Sequence, residues 1–290
     1  MSTSFFDSLS SWSNRPTQES FLYAAGTGDV TTVKKYLDGK GDPTVKDKSH
    51  NAFKNLFNFG DKPKFQNDGK PVEYTFDAIE LACFNNQLDV MDLLLKDKKV
   101  RESLNKWDGS GEKRTILHWL ADRVGSLKTI QKLLIAGAKP GVKDSSEMTP
   151  FEYAITNQNK ELLELFFKYE NEEIKKIVNQ HLFPVLTPIV QEYDPRPLSH
   201  YVNLKHEKSD ITPLHYAITA PVTDKSKEII LLLLENGADL KAIRRWFSLT
   251  SIPLPLRRMI NAKAKEIKER QKKQADIKES PDADVKPSDP

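Results

Sequence analysis

The feature that most constrains this chain is a short stretch that occurs three times with little change. It reads RTILHWLAD at 114–122, MTPFEYAIT at 148–156 and ITPLHYAIT at 211–219. Thr115 and Thr149 are 34 residues apart, and the third copy follows after one such interval plus an insertion, or about two intervals less a few residues. Recurrence at an interval of this size indicates stacked structural repeats.

Each copy continues into a second segment, at 127–138, 160–169 and 227–239, in which apolar residues stand three and four positions apart. This spacing predicts an amphipathic helix. Two more divergent copies, at 19–37 and 77–95, keep the small and apolar residues in the same places. The sequence therefore predicts five helix pairs, which begin near Glu19, Asp77, Thr115, Thr149 and Thr212.

The conserved start of each copy has the chemistry of a helix N-terminus. Threonine caps a helix well, and proline at the next position loses no hydrogen bond because the first helical N–H has no partner within the helix. Glycines at 137 and 237 suit the left-handed residue that ends a helix. Each copy is thus predicted to be a turn, a helix, a loop and a second helix.

These residues resemble the ankyrin repeat, whose unit is a β-turn followed by two antiparallel helices. The fifth copy carries the resemblance most clearly, with TPLH at 212–215, Ala217 and GAD at 237–239. The third copy matches at Thr115, Leu117, His118, Ala121, Gly137 and Ala138, and the fourth at Thr149, Pro150 and Ala154. The resemblance implies an all-α ankyrin-repeat solenoid of five to six helix-turn-helix units over residues 17–240.

Two insertions interrupt the predicted solenoid, at about 46–72 and 170–205. Residues 1–16 form an N-terminal segment, 241–274 are predicted to be capping helices or a degenerate sixth repeat, and the polar stretch 275–290 is predicted to be disordered. Phe53, Phe57, Phe59 and Phe65 lie in the first insertion, where they either fold back on the solenoid or form a docking patch.

Composition favours a soluble cytoplasmic protein, which we expect to be a monomer. Cys83 is the only cysteine, so no intramolecular disulfide forms, as expected in a reducing compartment. The N-terminus lacks the pattern of a secretory signal peptide. The longest apolar run, at 229–234, is far shorter than the roughly 20 residues that a membrane span requires.

The sequence shows no catalytic constellation, and we predict a protein that is not an enzyme and uses no cofactor or metal. The resemblance implies that His118 and His215 hydrogen-bond to backbone and to the neighbouring threonine and so tie adjacent turns together, and that Cys83 falls at a packed position of its helix. No phosphate-binding glycine loop is present. The alternative is an enzyme with its site in one of the insertions, at 170–205 or at 50–72. In the insertion at 170–205, the residues that could line a pocket are His181, Glu192, Tyr193 and Asp194.

The resemblance implies that a partner protein binds the concave side, which the turn tips and the starts of the inner helices form. Trp107 and Arg123 are the predicted anchors, because Trp and Arg dominate binding energy at interfaces; the alternative for Trp107 is that it packs under the tip at 108–114. The full set of predicted contact residues is Phe84, Asn85, Trp107, Arg123, Ser145, Ser146, Met148, Asn157, Lys208, Ser209 and Ile211.

Two further features bear on the partner. Residues 257–273 contain eight Lys or Arg against two Glu, so they form either a solvated terminal helix or a contact with anionic lipid or nucleic acid. Without aromatic residues between the charges, nucleic acid is the less favoured partner. Degenerate repeats, large insertions and the polar C-terminus resemble the ankyrin effectors that intracellular bacterial pathogens deliver into the host cytoplasm, which implies a host protein as the partner.

Overall fold

The computed structural model describes residues 16–46, 76–107, 112–170, 202–206, 211–246 and 252–278. Within them it contains thirteen helices and no strand, only one isolated antiparallel bridge between Lys46 and Asp77. Several predicted features lie outside the described residues: the N-terminal residues 1–15, the phenylalanines of the first insertion, the pocket residues of the second, Lys208, Ser209 and residues 279–290.

The helices form two compact units, residues 1–198 and 199–290. The first unit holds α1 Gln18–Thr27, α2 Val30–Asp38, α3 Ala78–Phe84, α4 Leu88–Leu94, α5 Lys98–Ser103, α6 Ile116–Asp122, α7 Leu127–Ile135, α8 Pro150–Thr156 and α9 Lys160–Glu170. The second holds α10 Pro213–Thr219, α11 Asp224–Glu235, α12 Leu240–Trp246 and α13 Leu254–Lys278.

The five predicted helix pairs are all present, and those of the first unit stack in a row. Each first helix packs against the next, α1 on α3, α3 on α6 and α6 on α8. The second helices likewise pack against one another, α2 on α4 and α7 on α9. This is the layout of an all-α repeat solenoid, in which each hairpin is covered by its neighbours.

The core of the first unit consists of equivalent residues from successive repeats. Phe21, Ile79, Leu117 and Phe151 are buried on the first helices, and full burial of such side chains stabilises a fold by roughly 1.5–3 kcal/mol each. Buried alanines allow the close approach of these helices: Ala25, Ala82, Ala121 and Ala154.

Four first helices begin with a buried polar pair. In α8, the Thr149 N–H donates to Glu152 Oε2 at 2.8 Å, and the Glu152 N–H donates back to Thr149 Oγ1 at 3.2 Å. Asp77 and Glu80 make the same exchange in α3. In α6 and α10, a histidine replaces the glutamate as the acceptor for the capping residue. Such a capping box satisfies amide groups that would otherwise be buried without partners.

Helix α5 was not predicted. It stands where the third and fifth pairs have the Gly-Ala turn after their second helix, and Asp97 caps it by accepting from the Lys99 N–H at 2.7 Å. Arg101 turns back and donates to the carbonyl groups of Leu95 and Lys96, at the end of α4. The extra helical turn therefore replaces the glycine turn in this repeat.

In the second unit, α10 packs against α11, and α11 packs against α13. Leu256 and Ile260 are the buried residues in the first two turns of α13. Asn203 donates to the Gly237 carbonyl at 2.9 Å and accepts from the Asp239 N–H at 2.8 Å. Helix α13 continues to Lys278, so it includes the first four residues of the segment predicted to be disordered.

In the four pairs of the first unit, the loop between the two helices has a left-handed residue at one position. Gly28, Asn86 and Gln158 occupy it in three pairs, with φ between 52° and 86°. The pair α6–α7 has Val124 there, with φ 54° and with 62% of its surface exposed. A β-branched residue in this conformation is strained.

We predict that Val124→Asn raises the free energy of unfolding by about 0.5–1 kcal/mol, because asparagine tolerates the left-handed region and little packing is lost. Urea unfolding measures this. Val222→Asn is the matched control, since Val222 is also exposed and does not have positive φ. A loss of stability in the Val124 variant would show that the valine side chain makes a stabilising contact.

Candidate functional site

The structure places eight of the eleven predicted contact residues in the first unit. Ile211 belongs to the second unit, and Lys208 and Ser209 lie outside the described residues. The eight fall in two groups. One lies at the ends of the first helices and the other at the turn tips between repeats.

Equivalent residues end three of the first helices. Asn85, Arg123 and Asn157 are the C-caps of α3, α6 and α8. Asn157 is exposed, but its amide donates to the carbonyl of Asp122 at 3.0 Å and so ties α8 to α6. Arg123 is also exposed, with its guanidinium 5.4 Å from the centre of the Trp119 ring. Phe84, beside Asn85, is half-buried and packs edge-on to Phe76.

Asp144 organises the turn tip before α8. Its Oδ1 accepts from the N–H groups of Ser146 at 2.8 Å and Met148 at 3.0 Å. The Ser145 N–H donates to the Glu112 carbonyl at 2.9 Å, which joins this tip to the preceding one. Ser145 and Ser146 are exposed while Met148 is half-buried, so the tip presents two hydroxyl groups on a fixed backbone.

Trp107 lies at the preceding tip and is 52% exposed. The Lys113 ammonium lies 4.7 Å from the centre of its ring, within the range of a cation–π contact. Asn105, two residues earlier, donates to the Gly137 carbonyl and accepts from the Lys139 N–H. These two bonds attach the backbone before Trp107 to the next repeat.

A buried cluster around Arg114 was missed by the sequence analysis. The Arg114 guanidinium lies between the rings of Trp119 and Tyr153, 4.7 Å from each centre. It donates to Asp122 at 2.9 Å and to the Tyr153 hydroxyl, which in turn donates to Asp144 at 2.8 Å. The cluster joins the end of α6, the start of α8 and the tip between them.

Charges in this cluster shift each other's protonation equilibria. Burial alone would lower the pKa of Arg114, but Tyr153 and the carboxylates of Glu112 and Asp122 raise it above its ordinary value. Burial, and then the hydrogen bond to Asp144, raises the pKa of Tyr153. The arginine therefore stays charged and the tyrosine stays a hydrogen-bond donor, as the network requires.

His118 joins its own helix to the next tip. Its Nδ1 accepts from the Thr115 N–H at 3.0 Å, and its Nε2 lies 3.2 Å from the Met148 carbonyl. Both bonds form only if the ring is neutral with its proton on Nε2. Burial lowers the pKa of His118 to about 4, which agrees with this assignment. The histidine therefore has the structural role predicted for it.

We predict that His118 makes the fold sensitive to acid. Between its ordinary pKa of about 6.5 and its folded value of about 4, the unfolded chain binds a proton that the folded chain does not, so stability falls as pH falls. Gln at this position accepts and donates the same bonds without titrating. From about pH 7 to about pH 4, the free energy of unfolding should drop about 3 kcal/mol further in the wild type than in His118→Gln. Parallel pH profiles in urea unfolding would contradict this role.

We predict that Arg114→Ala lowers the free energy of unfolding by about 3 kcal/mol, because the Asp144 carboxylate is then buried without its cation. Arg123→Ala is the matched control, since Arg123 is exposed and stacks on the same Trp119; it should cost under about 1 kcal/mol. Adding Asp144→Asn to Arg114→Ala should recover part of the loss in urea unfolding. Equal effects of the two arginines would disprove the cluster's structural role.

The remaining features considered in the described residues are the cysteine, possible metal ligands and the apolar character of the helices. Cys83 is buried, and burial raises the pKa of its thiol well above the ordinary value, so the thiol is unreactive. The described residues include no group of three or more His, Cys, Asp or Glu placed to hold a metal ion. None of the described helices combines the length and the apolar character that a membrane crossing needs.

The basic segment 257–273 lies in α13. Several of its cations contact carboxylates: Lys263 contacts Glu235 at 2.6 Å and Glu266 at 3.1 Å, and Lys265 lies 3.8 Å from Glu269. These contacts reduce the local positive charge that anionic lipid or nucleic acid would meet.

Comparison with known proteins agrees with the stacked hairpins. The family model described as ankyrin repeats (3 copies) matches residues 79–180 and 117–244, which together span more than half of the chain. No curated protein matches the sequence. The chain belongs to the ankyrin repeat family.

Proposed function

We propose that this protein binds a partner protein through one surface of its first unit. This recognition surface comprises Trp107, Lys113, Arg123, Ser145, Ser146 and Asn157. Ankyrin repeats generally mediate protein–protein interaction and are typically not enzymes.

The observation that carries the proposal is the way in which exposed side chains stand on a fixed backbone. The exposed Ser145 and Ser146 belong to a tip that Asp144 closes and that a backbone bond ties to its neighbour. Asn157 is bonded to α6 across the repeat boundary. A surface that is ordered before binding loses little conformational entropy when a partner docks.

The buried Arg114 cluster lies beneath the recognition surface and contacts the residue on which Arg123 stacks. The guanidinium groups of Arg114 and Arg123 both lie over the Trp119 ring, 4.7 Å and 5.4 Å from its centre. Arg114 is buried and Arg123 is exposed, so the stack leads from the interior to the surface. Arg123 is thereby presented in a limited set of orientations, which suits an anchor residue at an interface.

The resemblance to bacterial effectors extends the proposal to the partner's origin. Divergent repeats, a long insertion after α9 and a polar C-terminal stretch support a protein that acts on a host-cell protein. The partner is then a cytoplasmic protein of the host and is not found in the bacterium that makes this chain. The same experiment tests both statements when it compares two lysates.

We predict that the immobilised full chain captures a defined partner from a mammalian-cell lysate and not from a bacterial lysate. Arg123→Ala combined with Ser146→Arg should reduce capture about tenfold or more, because one change removes an anchor and the other adds bulk and charge. Quantitative mass spectrometry of the bound proteins measures this.

The matched control is Lys128→Ala combined with Lys168→Ala, on the exposed sides of the second helices α7 and α9. It should leave capture unchanged. Circular dichroism and urea unfolding verify that both variants are folded. Identical partner lists from the wild type and the Arg123 and Ser146 variant would refute the proposed surface, and a partner captured only from the bacterial lysate would refute the effector role.

A further inference from the structure

Helix α13 continues beyond the residues that pack it into the second unit. Leu256 and Ile260 are buried in its first two turns, and Ile267 is half-buried on the same side. From Lys268 to Gln274, every residue is exposed. Packing therefore accounts for the start of α13 but not for the two turns at 268–274.

The exposed turns are helical for local reasons. Their residues are mostly Lys, Glu, Gln and Arg, which are strong helix formers. Glu266 contacts Arg270, and Lys265 contacts Glu269, in both cases four residues further along the helix. Pairs at this spacing stabilise an exposed helix, so the side chains of these turns stand in a regular arrangement.

Cations outnumber carboxylates on α13 even when its ion pairs are set aside. Residues 257–273 contain eight Lys or Arg and two Glu, and Glu235 of α11 adds one carboxylate beside Lys263. In the last turn, Asp276 and Lys278 add no net charge. Four cations form no ion pair or hydrogen bond in the part of the chain that the structure describes: Arg258, Lys268, Lys272 and Lys273.

The cations lie on the side of α13 that faces away from its buried residues. At 3.6 residues per turn and 1.5 Å per residue, four exposed cations fall within an arc of about 80° and span about 21 Å of the helix axis. We call them the basic face: Arg258, Lys265, Lys268 and Lys272. Glu269 adjoins this arc, and Lys265 lies 3.8 Å from its carboxylate.

The shape and chemistry of the basic face suit a flat surface of negative charge. The face is one side of a straight helix, and it presents no large apolar side chain that would enter hydrocarbon. Three of its four cations are lysines, which act as compact, hydrated point charges and do not require the paired geometry that arginine favours. The headgroups of an anionic leaflet attract such cations without a specific pocket.

Nucleic acid fits the basic face less well. Helix α13 contains no aromatic residue that would stack on the bases of a single strand. A helix in the major groove of a duplex has phosphates along both flanks, whereas one side of α13 is buried at Leu256 and Ile260. The cations are therefore placed for contact with a plane and not for entry into a groove.

We propose that the basic face of α13 attaches the protein to a membrane surface that contains anionic lipid. The lysine and arginine side chains contact the negative headgroups, and α13 lies along the surface without entering the hydrocarbon. Such attachment is reversible and weakens as salt is added. This inference goes beyond the proposed function, because it concerns the second unit and gives the protein a second kind of partner.

The acidic segment that follows α13 is an internal competitor for the basic face. Residues 279–290 contain four acidic residues and one lysine. Twelve extended residues reach about 40 Å, which is enough to return along the basic face. The experiment therefore includes a chain that lacks this segment.

The test is flotation of the full chain with phosphatidylcholine vesicles, with and without about 30% phosphatidylserine. We expect binding only to the vesicles that contain phosphatidylserine, and an affinity that falls about tenfold or more between about 0.05 M and about 0.3 M salt. The variant Arg258→Gln, Lys268→Gln, Lys272→Gln should bind about tenfold or more weakly, because each cation near an anionic leaflet strengthens attachment about fivefold. Glutamine preserves the helix propensity.

The matched control is Lys34→Gln, Lys128→Gln, Lys168→Gln, which removes the same number of charges from exposed lysines of the second helices in the first unit. It should bind the vesicles as the wild type does, and circular dichroism verifies that both variants are folded. Equal binding by the two triple variants, or binding that does not depend on phosphatidylserine, would overturn the proposal.

Two further outcomes would assign the basic face to another occupant and also overturn the proposal. One is tighter binding, per negative charge, to a DNA duplex or a single-stranded RNA than to the vesicles. The other is vesicle binding that occurs only after residues 279–290 are removed, which would assign the face to the chain's own acidic segment.

The two proposals have separate readouts. The variant in α13 should capture the same partner protein as the wild type, and the Arg123 and Ser146 variant should bind vesicles as the wild type does. Partner capture without vesicle binding would reject the membrane attachment and leave the proposed function in place. Vesicle binding without partner capture would do the reverse.

Discussion

The starts of four first helices, α3, α6, α8 and α10, are buried, and the remaining architecture depends on how their backbone is satisfied there. A buried amide without a partner costs roughly 1–3 kcal/mol. In α8 the pair Thr149 and Glu152 satisfies two such groups, and in α6 His118 accepts from Thr115 in the same way. Because the pair is compact, neighbouring helices can cover it, and hairpins can stack without unpaired polar groups at their junctions.

A capping pair with histidine can make one hydrogen bond more than a pair with glutamate. The second ring nitrogen of histidine carries a proton that it can donate, whereas a carboxylate only accepts. Nε2 of His118 reaches the Met148 carbonyl, so the start of one helix determines where the next tip lies. Asp144 then closes that tip, and Tyr153 connects it to the Arg114 cluster. These buried bonds fix the backbone of the tip and so fix where the exposed side chains of Ser145 and Ser146 lie. A surface built in this way is ordered before any partner arrives.

The repeating parts of the fold were predictable from sequence because their causes are local. Thr-Pro starts, apolar residues at helical spacing and Gly-Ala ends each act within a few residues, so the five helix pairs followed from pattern alone. The departures were harder to predict. Helix α5 forms because Asp97 caps it and Arg101 donates to carbonyl groups five and six residues earlier, at the end of α4, and such a side-chain bond has no periodic signature.

The site was predictable in outline and not in its interactions. Positions such as Arg123 and Asn157 followed from the repeat register, whereas Arg114 was overlooked because it directly precedes the capping threonine and gives no sign of burial. Its partners Asp122, Tyr153 and Asp144 lie in two repeats, and only stacking brings them together. The role of Asn105 was hidden for the same reason.

The central claim is that stacked hairpins hold one surface of the first unit ready for a protein partner. Hydrogen–deuterium exchange of the full chain with and without its captured partner tests this most directly. We predict new protection at 105–107, 112–124 and 144–157, with little change in α7 and α9. Protection confined to α7 and α9, or to residues 171–201, would contradict it.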